Sequence, residues 1–577
     1  MNERYDYIVV GAGSAGSVLA RRLSDDPGVS VCLIEAGGSD ASPRVQVPAG
    51  TITLYKSRRF SWNYESAPQT RLNGRRLHCP RGKALGGSSS MNSMIYIRGF
   101  ASDYERWAAA GCAGWGWQDV LPYFRRSEGN RLGQDPALHG QDGPLQVDRP
   151  RDPNPVSRWF LEAGRRLGLP VNTDFNGPSA LGVGVYDLTQ RDGQRLSSYR
   201  AFVAPVRDRA NLTVLTDVAV DQLWMDGTTV KGVQLQVPEG GAPRRLQARR
   251  EVILCAGAIG SPHLLLRSGI GPRAQLEAAG VPVRVDLPGV GQNLQDHLDG
   301  LVTVRSRSPL TLGFSLGSAW QVLSAPLRYL VKRTGWLSTN YVEAGGFACT
   351  PLSEGEPDVQ FHFVPGYRSH RGRLFEWGHG YAIHTCVLRP RSRGELRLDA
   401  QGRLALDYNF LSDPQDARVL IEGMRLARKI LADPVFDGIR GTEMLPGPQV
   451  QSDEDFLANV RAHAATVFHP AGTCKMGVDP MAVVAPDLRV HGVSGLRVAD
   501  ASIMPVLVSG NTNAPCIMIG EKAADLIRTA GTGTMPVSRP VEAPRPCSAP
   551  CSSPRSTAPS SLTASCTTRA PAASPKT

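Results

Sequence analysis

Residues Tyr5 to Gly37, YDYIVVGAGSAGSVLARRLSDDPGVSVCLIEAG, decide the fold of this 577-residue chain. The apolar run Tyr7 to Val10 predicts a buried parallel strand, Ser14 to Leu23 a helix, and Val31 to Ile34 a second strand. Three glycines between the first strand and the helix have the spacing G-x-G-x-x-G. This order of strand, turn, helix and strand predicts a Rossmann-like unit that binds a dinucleotide.

Each part of the turn has a physical role in holding a dinucleotide. Gly11 permits the tight turn, Gly13 lets the backbone approach a pyrophosphate, and Gly16 lets helix and strand pack closely. The helix begins at Ser14 and Ala15, where free N–H groups can bind that anion. The turn is therefore a candidate pyrophosphate site.

An acidic residue ends the second predicted strand. Glu35, followed by Ala36, can accept hydrogen bonds from an adenosine ribose, and its charge would repel a 2′-phosphate. These residues alone do not separate FAD from NAD.

Length and composition restrict the class of protein. The chain is longer than one ordinary core, so two interleaved domains are expected, and 41% hydrophobic with 20% charged residues is typical of a globular protein. No run approaches the roughly 18 apolar residues of a membrane span, and no signal peptide is recognised, which makes the cytoplasm the default location. The eleven cysteines show no convincing zinc pattern, and no metal is predicted.

The formal charge of +12 could indicate a nucleic-acid partner. The basic residues, however, are mostly arginines scattered between acids, and no dense basic block is interleaved with aromatic residues. A solvated surface is therefore favoured over a nucleic-acid face. Attraction to an anionic membrane surface stays an alternative.

A second segment, PRGKALGGSSSMNSMIYIRG at 80–99, contains more glycine and serine than core burial explains. Such small residues leave backbone amides exposed, which suits close contact with a flat or anionic ligand. A flexible loop is the alternative, although a strand predicted at Met94 to Ile97 would anchor the segment. The aromatic stretch at 60–69, FSWNYESAPQ, fits a core or the cover of a cofactor equally well.

A third segment, EVILCAGAIGSPHLLLRSGIG at 251–271, repeats the order of strand, small-residue turn and helix found at the start of the chain. It has an apolar strand at Val252 to Cys255, a turn of small residues at Ala256 to Gly260, and Pro262 near a helix start. This segment resembles the second signature of the glucose-methanol-choline (GMC) flavoprotein oxidoreductases, and Gly82 to Tyr96 resembles the first. With the glycine turn and a C-terminal block, the resemblance covers roughly residues 5 to 529.

The resemblance implies FAD as the cofactor, and an α/β fold in which a Rossmann-like FAD-binding domain carries an α+β substrate domain built on an antiparallel sheet. Some members attach FAD through a histidine in the first signature, where this chain has Met91, so non-covalent FAD is expected. The positions implied to bind the cofactor are Gly11, Gly13, Ser14, Ala15, Gly16, Glu35, Ala36, Trp62, Arg81, Leu85, Gly86, Gly87, Ser88, Asn92, Val218, Ala256, Gly257, Asp500, Ala501, Asn511 and Thr512.

The resemblance places the catalytic residues near the C-terminus. His469, in TVFHPAGTCKMG, is implied to be the general base, and Asn513, in SGNTNAPCIMIG, its partner that holds the substrate oxygen. The implied reaction is oxidation of a primary or secondary alcohol to an aldehyde or ketone, with hydride transfer to flavin N5. His297 is expected to be structural rather than catalytic.

Several alternatives follow from the same resemblance. The sequence favours the bacterial dehydrogenase branch, with a quinone or another electron carrier as acceptor, but oxidase activity is not excluded. Choline is the less favoured substrate, since no aromatic cluster can be assigned as a cage for its ammonium group. A flavin-containing lyase or a photodecarboxylase is the alternative activity.

The domain boundaries are expected to be discontinuous. Residues 1–155, 200–300 and 466–530 are predicted to form the FAD-binding domain, and 156–199 with 301–465 the substrate domain. Residues 531–577, rich in Pro, Ser, Thr and Ala, are predicted to be disordered. The expected location is cytoplasmic, with peripheral contact at the inner face of the cell membrane as an option. The oligomeric state is not predicted.

Overall fold

Two seven-stranded sheets organise the part of the chain that the computed structural model describes, residues 3–236, 244–367 and 377–532. The first sheet contains the opening strands of the chain, and the second contains strands between residues 182 and 466. Each sheet has its own cluster of buried apolar residues.

The opening unit forms as the sequence predicts. Strand Glu3–Val10 is followed by helix Ser14–Leu23 and strand Val31–Ile34. Gly11 has a φ of 103°, and a Cβ at Gly16 would lie 1.9 Å from the carbonyl oxygen of Gly11. Any larger residue at position 16 would push the helix away from the strand.

The first sheet combines a parallel core with an antiparallel meander. Helix Asn513–Thr532 packs beside helix Ser14–Leu23, where a Cβ at Gly520 would lie 2.6 Å from the oxygen of Ala15. The strands lie in the order Leu212–Leu215, Val31–Ile34, Glu3–Val10, Arg244–Leu254, Thr229–Leu235 and Val220–Asp226, and Leu496–Val498 pairs in parallel with Arg244–Leu254.

The second sheet is antiparallel. Helices Pro155–Arg166, Pro414–Leu431 and Asp453–His463 contribute apolar residues to its core. Its strands lie in the order Arg440–Leu445, Leu298–Ser306, His379–Val387, Val359–Val364, Ala344–Ala348 and Gly182–Val185, and Ala465–Thr466 pairs with Leu298–Ser306. The predicted fold class, a Rossmann-like part joined to an α+β part with an antiparallel sheet, is confirmed.

The remaining elements connect these two sheets. The other helices are Pro43–Gln46, Thr51–Leu54, Ala101–Ala109, Trp117–Ser127, Gly257–Arg267, Arg273–Ala278 and Ala319–Lys332. The short strands are Tyr64–Glu65, His78–Cys79, Glu128–Asn130, Leu145–Asp148, Leu188–Arg191, Gln194–Arg195, Ile270–Gly271, Val285–Asp286, Glu395–Leu398 and Leu404–Asp407.

The prediction of a strand at Met94 to Ile97 is wrong. Its only pairing within the described residues is one bridge, from Ile95 to Leu188. Met94 has a φ of 61°, outside the extended region, and its N–H is taken by the side chain of Asn92 at 3.0 Å. A local turn therefore replaces the start of the predicted strand.

Helix Asn513–Thr532 continues two residues past the predicted domain boundary at 530. The rest of the predicted tail lies outside the described residues, and the division into domains stays a prediction. Among the described helices, none combines the length and the apolar character that crossing a membrane requires.

Candidate active site

A cavity of about 1350 Å³ lies between the two sheets. Gly11 and Glu35 of the opening unit line one end, and His362 and His384 of the second sheet line the other. The cavity therefore connects the predicted dinucleotide site with the antiparallel sheet.

Most of the predicted site residues line this cavity. Those in its wall are Gly11, Gly13, Ser14, Ala15, Glu35, Ala36, Trp62, Arg81, Gly87, Ser88, Asn92, Val218, Ala256, Gly257, His469, Asp500, Ala501, Asn511, Thr512 and Asn513. Gly16, Leu85 and Gly86 do not line it: Gly16 packs under the turn, and the N–H groups of Leu85 and Gly86 donate to Gly38 and Ala12.

Two glycine-rich segments meet in the cavity wall. Gly87 has a φ of 53°, and a Cβ on it would lie 2.8 Å from the Cα of Gly13. A Cβ on Gly11 would lie 2.5 Å from the carbonyl oxygen of Cys255. The three backbones therefore approach one another without intervening side chains, which leaves their polar groups accessible to an extended ligand.

Helix N-termini converge on the same wall. Helix Ser14–Leu23 has no side-chain cap, so its first N–H groups lack that partner. Helix Asn513–Thr532 starts next to it, and the Ser14 hydroxyl donates to Oδ1 of Asn513 at 2.7 Å. Two helices thus direct their positive ends at one region, which suits a pyrophosphate.

Glu35 is buried at the end of its strand. Its carboxylate accepts hydrogen bonds from the N–H groups of Ala12 at 3.0 Å and Gly37 at 2.9 Å. Burial raises the pKa of Glu35 to about 7, against the lowering effect of these two bonds. The side chain therefore holds the glycine turn as well as lining the cavity.

Asp500 has a similar role on the opposite wall. Its carboxylate accepts from the N–H of Gly257 at 2.8 Å, the hydroxyl of Ser261 at 2.6 Å and the N–H of Ser502 at 2.8 Å. Burial raises the pKa of this carboxyl group. Asp500 thereby joins the start of helix Gly257–Arg267 to residues 500–502.

Arg195 was not predicted and supports the first signature. Its buried guanidinium donates to Oδ1 of Asn92 at 2.9 Å and to the carbonyl oxygens of Val45 at 2.9 Å and Ser89 at 3.2 Å. Burial lowers its pKa to about 10. An arginine in a short strand carries no sequence signal for this role, because its partners, two backbone carbonyls and the side chains of Asn92 and Thr51, are all distant in the sequence.

His469 is buried at the junction of the cavity and the second sheet. Its Nδ1 lies 3.0 Å from Nδ1 of His297, and its Nε2 lies 3.2 Å from Nδ2 of Asn511. Its backbone N–H donates to Asp296 at 2.8 Å. The imidazole is therefore held at both ring nitrogens and at the backbone.

The hydrogen bonds assign the tautomers of this histidine pair. Nε2 of His297 lies 3.0 Å from the carbonyl oxygen of Leu388, which can only accept, so Nε2 carries the proton and Nδ1 is the acceptor. Nδ1 of His469 consequently donates to His297. The lone pair of His469 is left at Nε2, where the amide of Asn511 donates to it.

Both histidines are neutral at neutral pH. Burial lowers the pKa of His297 to about 4 and that of His469 well below its usual range, with further lowering of the latter by nearby positive groups. A neutral imidazole with an accepting nitrogen is the form that can take a proton.

The residue beside His469 is Asn511 and not Asn513, to which the sequence assigned the partner role. Oδ1 of Asn513 accepts from Ser14, on the side of the dinucleotide turn. The two asparagines lie two residues apart around the start of the last helix, and the chain directs them to different walls of the cavity. In this structure the amide that meets His469 is therefore that of Asn511, and the role assigned to Asn513 stays a prediction.

Gln360 fixes the orientation of the Asn511 amide. Its Nε2 donates to Oδ1 of Asn511 at 3.2 Å and to the hydroxyl oxygen of Tyr186 at 3.2 Å. The Tyr186 hydroxyl in turn donates to the carbonyl oxygen of Phe361 at 2.7 Å. This series of bonds leaves Nδ2 of Asn511 as the group facing His469.

His362 and His384 stand opposite each other on neighbouring strands and line the cavity. Nδ1 of His384 lies 2.7 Å from the buried carboxylate of Asp299. Nδ1 of His362 has no hydrogen-bond partner among the described residues, and burial lowers its pKa to about 3. Because both histidines lie in strands, the sequence favoured a role in the core for each, and it did not predict that both line the cavity.

Aromatic residues also line the cavity. Tyr55 and Phe468 are in contact, with ring centroids 5.5 Å apart, and both line the cavity. Arg81 donates to the carbonyl oxygen of Phe468 at 2.7 Å, which fixes the residue before the histidine. Trp62 stacks on Tyr64 and lies under the ammonium group of Lys83, 4.7 Å from the ring centroid.

The residues present fit an extended dinucleotide cofactor. Side-chain-free backbone and an uncapped helix N-terminus form one end of the cavity, and an accepting imidazole lies at the other. Within residues 3–236, 244–367 and 377–532, no cluster of His, Cys, Asp and Glu could hold a metal ion.

Comparison with known proteins gives relatives over most of the chain. An alcohol dehydrogenase [acceptor] of Pseudomonas putida is 43% identical over 526 residues, which cover 91% of this chain and 95% of the relative. An oxygen-dependent choline dehydrogenase of Ectopseudomonas mendocina is 43% identical over 539 residues, which cover 92% and 94%.

Solved structures of the same fold include a pyridoxine 4-oxidase from Mesorbium loti. It has a TM-score of 0.80 at 34% identity, with coverage of 90% of this chain and 98% of that protein. A formate oxidase has a TM-score of 0.83 at 27% identity, with coverage of 92% and 99%. Two family models described as GMC oxidoreductase match residues 5–299 and 390–520. The chain therefore belongs to the GMC oxidoreductase family, whose members are flavoproteins.

Proposed function

We propose that this protein is an FAD-dependent dehydrogenase that oxidises a primary or secondary alcohol to an aldehyde or ketone, with His469 as general base. The observation that carries the proposal is the assigned tautomer: a buried, neutral imidazole in the cavity wall, with its accepting Nε2 held beside the Asn511 amide. The relatives, an alcohol dehydrogenase and a choline dehydrogenase, agree with this chemistry.

His469, His297 and Asn511 have separate roles in the proposed reaction. FAD, when bound along Gly11 to Ala15, Glu35 and Val218, supplies the acceptor for the hydride. Nε2 of His469 takes the hydroxyl proton, and the Nδ1–H bond to His297 keeps the ring in the accepting tautomer. Nδ2 of Asn511 donates to the substrate oxygen and orients it towards the base.

The substrate class follows from the chemistry of the cavity. Aromatic rings and the Asp299–His384 pair line the part that the second sheet contributes, so the substrate is a small alcohol with apolar or polarisable substituents. Choline is the second candidate, because Tyr55 and Phe468 offer ring faces to a quaternary ammonium group. The electron acceptor is proposed to be a quinone or another carrier other than NAD.

A panel of alcohols tests the proposed function. Anaerobic mixing of the purified yellow protein with primary alcohols, secondary alcohols and choline should bleach the flavin absorbance with at least one of them. Readmitting oxygen then separates an oxidase, which recovers its colour at once, from a dehydrogenase. If no alcohol bleaches the flavin while dithionite does, the alcohol dehydrogenase proposal is wrong and a lyase or photodecarboxylase is favoured.

The flavin should be bound non-covalently. Met91 is buried in the cavity wall, and its thioether cannot form a histidyl link. Acid precipitation of the yellow protein is expected to release all FAD into the supernatant. Colour retained in the washed pellet would contradict this expectation.

The His469→Ala variant should keep FAD but lose the base. Flavin reduction by a good substrate should slow by about 10² to 10⁴, the range typical of a positioned acid–base group. In the parent enzyme, the rate should stay level through pH 6.5, the ordinary pKa of histidine, and fall only at more acidic pH, because protonation removes the base as the pH falls through its lowered pKa.

The variant should show no such acid limb. His491→Ala, at a histidine outside the cavity wall, is the matched control and should keep both the rate and the limb. A parental rate and pH profile in His469→Ala would assign the proton to another group.

The two asparagines should differ in what they affect. Asn511→Ala removes the donor beside the base, and flavin reduction at saturating FAD should slow by about 10², a loss usual for one preorganised donor. In the Asn513→Ala variant the flavin should be reduced at nearly the parental rate, but FAD should be released more readily, since the Asn513 side chain accepts a hydrogen bond from Ser14. Stopped-flow reduction and FAD titration separate the two effects, and the opposite ranking would restore Asn513 as the partner of His469.

A further inference from the structure

Helix Ala319–Lys332 exposes an apolar face to solvent. Trp320, Leu323, Leu327 and Leu330 follow one another at spacings of three and four residues, which places them on one side of the helix, with Val331 adjacent and Leu316 in the 3₁₀ turn just before the helix. These six side chains are 68% to 85% exposed. We call them the outer stripe.

The outer stripe is not the usual apolar side of a surface helix. Such a helix normally turns its apolar stripe to the core, and this one already does so with Ala325 and Tyr329, which are buried. The helix is thus apolar on two sides. Trp377, which is also 68% exposed, pairs through its backbone with Phe314, close to the start of the helix, and adds a second tryptophan to the same surface.

The segment that carries the outer stripe has basic but no acidic residues, and Arg328 pairs with Asp152 of another segment at 3.0 Å. Residues 300–342 contain no Asp or Glu and five basic residues: Arg305, Arg307, Arg328, Lys332 and Arg333. On the helix, Arg328 and Lys332 flank one edge of the outer stripe. Lys332 is exposed and makes no ion pair within the described parts of the chain. An apolar stripe with a basic edge is typical of helices that lie in a membrane interface.

The same helix forms part of the cavity wall. Val322, Ala325 and Pro326 line the cavity, together with Trp336 and Leu337 just after the helix. The outer stripe is on the other side of this wall. A surface that contacts the outer stripe is therefore separated from the cavity by a single helix.

A second copy of the chain fits this surface less well than a lipid does. In a two-fold dimer the same patch meets itself, so the basic edge of one copy, with Lys332, would face the basic edge of the other without an acid from this segment between them. An anionic bilayer offers the opposite charge and an apolar phase of any shape.

We propose that the outer stripe of helix Ala319–Lys332, with Trp377 and the basic edge, docks this protein on the surface of an anionic lipid bilayer. The leucines and tryptophans enter the boundary between headgroups and acyl chains, and Lys332 binds headgroup phosphate. The cavity wall then lies against the membrane, on the side from which an apolar substrate or electron carrier dissolved in lipid would arrive.

Vesicle flotation of the full-length holoprotein tests the proposal. The parent should float with vesicles of phosphatidylcholine and phosphatidylglycerol, more weakly with phosphatidylcholine alone, and less at high salt. Leu323→Glu/Leu327→Glu should bind at least tenfold more weakly, because two large apolar side chains no longer enter the lipid. Lys332→Gln should bind the anionic vesicles about fivefold more weakly.

A charge-matched control separates this face from general charge. Val171→Glu/Val478→Glu adds the same two charges at exposed apolar residues outside the stripe and should bind like the parent. Both double variants keep residues 531–577, so the net charge of +4 on that segment contributes equally to the vesicle binding of each. FAD content and turnover of a water-soluble alcohol should be unchanged in both double variants, because none of the four residues lines the cavity.

Equal flotation of the Leu323→Glu/Leu327→Glu variant and the parent would overturn the proposal. So would a parent that ignores vesicles but forms dimers that this variant abolishes, since the outer stripe would then be an interface between copies. Neither outcome bears on His469, so the proposed catalytic function is tested separately.

Discussion

The close approach of three backbones at the opening glycine turn is the constraint on which the molecule depends. Gly16 packs against the oxygen of Gly11, Gly87 against Gly13, and Gly520 of the last helix against Ala15. The last two contacts bring the first signature and the last helix, which are distant in the sequence, to the same turn. A side chain at these positions would separate the first signature and the last helix from the turn, and with them both walls of the cavity. The position of His469 relative to the dinucleotide end is therefore decided far from the histidine itself.

Backbone N–H groups, rather than buried ion pairs, are the main hydrogen-bond partners of the buried carboxylates along the cavity. Glu35 and Asp500 each accept from backbone N–H groups, and Asp296 accepts from the N–H groups of both His297 and His469 at 2.8 Å. Burial raises the pKa of all three carboxyl groups. The positive ends of helices face the region expected for an anionic cofactor, so a pyrophosphate is bound without a competing internal ion pair. At the other end, one carboxylate aligns both histidines, and their hydrogen bonds then decide which nitrogen keeps its lone pair.

Local patterns predicted more of this structure than long-range ones did. Helix Ser14–Leu23 and strand Val31–Ile34 have the predicted bounds, because strand period, helix period and turn residues agree within that stretch. The strand at Met94 to Ile97 failed because a left-handed residue at Met94 interrupts an apolar run that otherwise reads as extended. The sequence placed Asn511 with the cofactor and Asn513 with the base, and residue type alone could not show that the packing of the second sheet, through Gln360, turns the amide of Asn511 to His469.

The helix Ala319–Lys332 shows why hydrophobic periodicity alone could not locate its core-facing side. Its outward leucines have the regular spacing that normally marks a buried face, whereas the inward side is made of small or irregular residues such as Ala325 and Pro326, which border the cavity. A soluble surface would gain nothing from large apolar groups in these positions, and contiguous exposure of this kind normally marks an interaction surface. Residues 300–342 contain no acid, and Lys332 beside the outer stripe has no ion-pair partner among the described residues, which disfavours pairing of this surface with itself and favours an anionic partner. A helix that is apolar on both sides is thus best explained by two apolar surroundings, the cavity within and a lipid phase outside.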